Sequence, residues 1–214
     1  MVKFIEIVFV NYYFYFNFLF LLANLVFACL RYLGKISDQK FFTFVRSLFF
    51  LVLVFAGLRI FSLYLVQYLI WSKTEPFVYF LPPHQPISYF LSYAWLHFAK
   101  LPAFNFFLSA FLFFLIFLGA KLSRGRFFYS EEHYSGGIAI LLNSWPDNFF
   151  VFILVLAFGC LGFVLRSAYL LFKNKKQLQP AYFSFRYLWG LVGLLVFLFG
   201  GNLVNLFNLG ILKI

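Results

Sequence analysis

The chain has 214 residues, 64% of them hydrophobic and only 11% charged, at a mean hydropathy of +0.94. A soluble domain is about 25% charged and about 45–50% apolar, and no water-soluble core of this size hides so much apolar surface. The net charge of +11 does not signal nucleic acid, because the bases stand at the ends of apolar runs, where Lys and Arg flank membrane spans; the bilayer is the expected partner.

A helix needs about 20 apolar residues to cross a bilayer. The first run, residues 7–30, meets that length and is too long for a signal peptide. It contains Cys29, and Cys160 lies in a later run. With no CxxC or Cys/His spacing, both read as inert apolar cysteines, and no metal or cofactor is expected. The second run, 46–71, carries Arg59 near its middle. A central Arg costs about 2.5–3.5 kcal/mol on insertion scales, so it is expected to face protein or water and meet a polar partner there. Two readings stand: a polar pocket, or pairing with a backbone carbonyl or lipid phosphate.

A Pro-rich stretch follows, "SKTEPFVYFLPPHQPISYF", with Glu75 as its acid. Residues 87–98 are too short to span comfortably and read as a short tilted crossing or an interfacial helix. The run 102–121 has just the length of a crossing. Then the character changes: Arg124 and Arg126 lead into Glu131, Glu132 and His133, so three of the six carboxylates fall in one segment. Residues 134–145 are again short. Two further long runs, 148–172 and 184–208, complete the chain, the last with Asn202, Asn205 and Asn208 at three-residue spacing, a stripe expected to hydrogen-bond between helices rather than to catalyse. Continuous rather than alternating apolar runs exclude a barrel. The fold expected is all-α: one polytopic transmembrane helical bundle, 1–214, of five to seven membrane segments.

The acid cluster admits several readings. As a solvated loop before a helix, Glu131 and Glu132 would neutralise the nearby arginines and gain about 0.3–1 kcal/mol from the helix dipole. As a cation site it lacks an evident third ligand. As half of an acid dyad it would need a partner carboxylate from another helix, one acid activating water and the other protonating the leaving group.

In this last respect the chain resembles the membrane-embedded prepilin peptidases, the type IV leader peptidase family. Glu75 stands seven residues before the proline of Leu81-Pro82, and Glu132 thirteen before Trp145 in "NSWP". A long span, the basic "KNKKQLQP" and "YFSFRYLWGLVGLL" follow. The resemblance covers residues 65–208. It implies an intramembrane endopeptidase dyad of Glu75 and Glu132 with Arg124, Arg126 and His133 nearby; Arg59 and Glu131 are further candidate polar-site residues. It also implies a membrane-anchored pilin-like substrate and a bacterial-type inner membrane. Glutamates stand where the family has aspartates, and "YSEE" replaces Gly-x-Gly-Asp, which implies a divergent member without protease activity. A second reading is a non-enzymatic scaffold or assembly component of an envelope complex.

Charge placement separates two topologies. One gathers Arg31, Lys35, Lys40, Arg46, Lys121, Arg124, Arg126, Lys173, Lys175, Lys176 and Arg186 on one side, leaving Lys3, Lys73, Lys100 and Lys213 on the other. That obeys the positive-inside rule and puts Glu75 and Glu132 on opposite sides. The family topology keeps the two acids together and makes 87–98 a crossing.

Overall fold

The computed structural model describes residues 12–122, 129, 131–172 and 185–206. Among these it is 86% helical and contains no strand. Six helices follow in order: α1 (Tyr13–Tyr32), α2 (Asp38–Trp71), α3 (Ile87–Leu122), α4 (Glu132–Leu142), α5 (Asp147–Phe172) and α6 (Arg186–Leu206). All but α4 are long and apolar enough to cross a membrane. The protein is an integral membrane helical bundle.

Local chemistry sets the first hairpin. Helix α1 ends in a Schellman turn: Lys35 N–H donates to the Leu30 carbonyl, Gly34 N–H to Arg31, and Gly34 takes the φ of 72° that its missing Cβ permits. Ser37 then caps α2, its hydroxyl accepting from the Lys40 N–H. The Arg31 guanidinium forks onto the Asp38 carboxylate through Nε and Nη2, both at 2.6 Å. This turn marks the near face of the bundle. The Tyr32 and Tyr187 rings meet there at 5.4 Å, which brings the start of α6 to the same face.

Helix α4 is the centre of the molecule. At 11 residues it is about 16 Å long at 1.5 Å per residue. Ten of its residues are buried. Its Ile138, Leu141 and Leu142 join the core shared with α1 and α2, while Ala139 and Ile140 join the core shared with α3, α5 and α6. Glycines make the close approach possible. A Cβ at Gly137 would stand 2.6 Å from Phe49 Cε2, and one at Gly136 would stand 2.9 Å from Ile116 Cδ1. Neighbouring helices present heptad-like stripes to this hub: Asn17, Leu21, Asn24 and Ala28 from α1; Asn105, Ser109, Leu112 and Ile116 from α3.

Three expectations from the sequence need correcting. The second span is not 46–71 but begins at Asp38, because Gln39 and Lys40 at its start sit on an exposed first turn that the Ser37 cap already supports. Residues 87–98 are not a separate short segment. They are the first third of α3, which runs on through a π turn at Trp95–Ala99 in which Lys100 N–H bonds the Trp95 carbonyl. Pro102 lies just beyond. It has no N–H to offer the Phe98 carbonyl, and a widened turn accommodates that loss. Asn202 and Asn205, expected to bond between helices, are exposed on α6; Asn208 lies outside the described residues.

The ends of α2 and α3 reach beyond the rest of the bundle. There Trp71, Leu81, Phe90 and Ala94 form a small third core, backed by Tyr64, Tyr93 and Phe98. A 3-10 turn, Phe77–Phe80, closes this hairpin.

Glycine packing at the hub gives a direct test. Gly137→Val should lower the thermal unfolding midpoint of the purified protein by the equivalent of about 1–3 kcal/mol, the cost of overpacking a filled core. Gly57→Ala, where nothing lies within 4 Å of the added carbon, should raise it slightly by removing a mid-helix glycine.

Candidate functional site

Two polar regions stand out in the apolar bundle. They lie at opposite levels of α4.

The first is the start of α4. Glu132 is 0% exposed, Glu131 5% and His133 6%. They are not the solvated loop that the charge pattern suggests. The reason is that the first turn of α4 is already inside the bundle. The Ser135 N–H donates to the Glu131 carbonyl, and the Ser135 hydroxyl exchanges hydrogen bonds with Asn24 of α1 at 3.0 and 3.2 Å. His133 is set among aromatic rings, with Phe113, Tyr134 and Phe117 at 4.8, 4.1 and 5.5 Å. Its Nδ1 is buried without a hydrogen-bond partner among the described residues. The carboxylates sit where the helix dipole favours anions. Arg31, at the near-face turn, is within electrostatic reach of Glu131 and Tyr187. Arg124 and Arg126, expected beside them, lie outside the described residues.

Glu75 is not part of this region. It is exposed and follows the end of α2, in the far-face loop. Tyr134, two residues after Glu132, packs on Phe49 of α2 at 5.6 Å between ring centroids. From Phe49 to Trp71, α2 rises about 33 Å at 1.5 Å per residue. Glu75 and Glu132 therefore lie about a bilayer core apart, and they form no dyad. The physical reason is the continuity of α3: with 87–98 built into one long helix, no extra crossing returns Glu75 to the near face.

The second region surrounds Arg59 and the end of α4. The Arg59 guanidinium lies 3.5 Å above the centroid of the Tyr13 ring, a cation–π contact. Its Nε is buried without a hydrogen-bond partner among the described residues. A cavity of about 270 Å³ opens beside it, lined by Arg59, His97, Asn105, Ser144 and Trp145 and by the apolar Leu63, Phe98, Leu101 and Pro102. The expectation of a protein-facing arginine is thus met by an aromatic face and a polar cavity. The contact sets Arg59 level with Tyr13, the first residue of α1.

Between these regions lies a set of hydrogen bonds that serves the backbone of α4. Ser109 donates to the Gly137 carbonyl at 2.9 Å, and Asn17 to Leu142 at 3.1 Å. Asn143 reaches both Ala139 and Gly193 carbonyls, at 2.7 and 3.1 Å. Asn105 Oδ1 accepts from the Trp145 N–H and from Asn148 Nδ2, at 3.1 and 3.2 Å. Sequence reasoning passed over Asn17, Asn24, Asn105, Ser109 and Asn143. The signal was there: Asn17 and Asn24 are seven apart, and Asn105 and Ser109 four apart, each pair on one helical face within an apolar run.

In comparisons with protein-family models, with curated proteins and with solved structures, nothing matches this chain.

Two measurements follow from this geometry. In a variant with Cys29 and Cys160 replaced by alanine, Glu75→Cys should label from the membrane side opposite to that which labels Lys35→Cys. Labelling of both from the same side would return Glu75 to the near face. Asn143→Leu should remove two side-chain hydrogen bonds, to the Ala139 and Gly193 carbonyls, and lower thermal stability in detergent by about 1–3 kcal/mol.

Proposed function

We propose that this protein is a non-catalytic component of a bacterial-type inner membrane, organised on a prepilin-peptidase-like plan but acting as a scaffold or assembly partner for other membrane proteins. The observation that carries this reading is the separation of Glu75 from Glu132. An acid-dyad endopeptidase needs two carboxylates around one water, and here one acid is exposed beyond the far end of α2 while the other is sealed under α4. Glu131 and Glu132 are sequence neighbours on one helix start. Glu131 is in electrostatic reach of Arg31, and both acids are buried beside a histidine packed among aromatic rings. Such a cluster suits the holding of charge and helix position better than the admission of a peptide. The likeness to the peptidases in chain order, a short helix opening with an acid and closing at a Trp-Pro turn, supports descent of the plan without its chemistry. The partner class consistent with it is a membrane-anchored pilin-like protein or another envelope subunit.

The test is processing in a bacterial host lacking its own leader peptidase. A prepilin reporter co-expressed with this protein should keep its leader, and the Glu132→Gln variant should behave identically. Leader removal by the wild type that disappears in Glu132→Gln would restore the peptidase reading.

A further inference from the structure

The cavity beside Arg59 has the chemistry of an oxyanion site. Among the described residues its one charged wall is the Arg59 guanidinium, and no carboxylate lines it. Arg59 is already oriented: the Tyr13 ring holds one face of the guanidinium plane, which fixes the donors along its edge. Its buried Nε has no hydrogen-bond partner among the described residues.

The remaining polar groups converge as donors. Asn105 spends its carbonyl oxygen on the Trp145 N–H and Asn148, so its amide NH₂ is what it has left to offer. The Ser144 hydroxyl and the His97 imidazole complete the polar wall. The opposite wall is apolar, Phe98 and Pro102 among it, and lies against the π turn that widens α3 at Trp95–Ala99. π turns inside α-helices are frequent at functional sites.

Size and depth narrow the ligand. At about 270 Å³, the cavity holds about nine waters at ~30 Å³ each, enough for a headgroup and not for a whole lipid. Its level is that of Tyr13, the start of a 20-residue crossing of about 30 Å, which is where lipid phosphates lie. Arg matches phosphate geometry through its planar fork of donors.

We propose that the Arg59–Asn105–Ser144–His97 cavity binds a phosphate group at the far face of the membrane, supplied either by an anionic phospholipid headgroup or by free phosphate. This does not depend on the scaffold reading; a phosphate site would remain if the protein proved to be a peptidase.

The full chain, purified in an uncharged detergent, is tested in two arms. In the first, it is placed in nanodiscs of phosphatidylcholine with or without phosphatidylglycerol, and retained lipid is counted by native mass spectrometry. In the second, the thermal midpoint is followed in lipid-free detergent as inorganic phosphate is added, with chloride at equal ionic strength as control. Retained phosphatidylglycerol without a phosphate effect assigns the site to lipid; a midpoint raised by phosphate alone assigns it to the free anion. Arg59→Gln should weaken whichever binding is seen by about 10- to 100-fold, the range for one lost charged hydrogen bond, and Arg59→Lys should weaken it less. If Arg59→Gln does not fold, Ser144→Ala and His97→Leu, both exposed positions, carry the test and should each weaken binding. No retention and no midpoint shift in the wild type overturns the proposal. So does binding unchanged in Arg59→Gln, or in both substitute variants where Arg59→Gln does not fold.

Discussion

Every backbone N–H and C=O buried in an apolar medium must find a partner. In the five long helices the ladder does this almost unaided, and their ends reach polar surroundings. Helix α4 has no such escape. It is half the length of a crossing, and both of its ends stop inside the bundle, where the last carbonyls of a helix are orphaned. The structure answers with an amide from α1, a hydroxyl from α3 and the amide of α4's own C-cap residue. Asn17 serves Leu142, Ser109 serves Gly137, and Asn143 turns back on its own helix while also holding Gly193 of α6. Asn105 does the same for the turn that follows. These bonds fix the height and rotation of α4, and the two main cores are built on its two faces.

The same constraint shapes both polar regions. At its start, α4 tucks two carboxylates and a histidine under the near face, since a helix that short cannot carry its first turn out to water. At its end, the irregular backbone of Asn143–Pro146 leaves space between α2, α3 and α5, and the cavity beside Arg59 occupies it. Polar groups in a membrane interior usually mark function. In this protein a good share of them serve the backbone first, whereas Arg59, His97 and Ser144 line the cavity.

The five long crossings were legible because hydropathy and length suffice to find them. Their limits were less so. Asp38–Arg46 is polar enough to look like a loop, yet Ser37 caps it and it is helical throughout. His97, Lys100 and Pro102 break the apolar run of α3 without breaking the helix, because a π turn absorbs the proline. The burial of Glu131, Glu132 and His133 was illegible from charge pattern alone: three titratable residues in a row read as solvated until Gly136 and Gly137 are seen drawing the helix against Phe49 and Ile116. The distance between Glu75 and Glu132 was not legible in the spacing of acids and prolines, because it depends on 87–98 continuing into one long helix rather than crossing by itself.

The unequal lengths of the helices bear on the membrane itself. Helix α1 measures about 30 Å and α2 about 51 Å at the same rise per residue. Tilted by 40°, the upper end of the usual range, α2 would still cover about 39 Å along the membrane normal, more than a hydrocarbon core of ~30 Å. The surplus is rich in Tyr, Trp and Phe, side chains that settle among headgroups. Lipids beside α1 and lipids beside the α2–α3 hairpin thus meet hydrophobic walls of different height. A step in height of that kind is met by lipids of different length or by neighbouring proteins that level it.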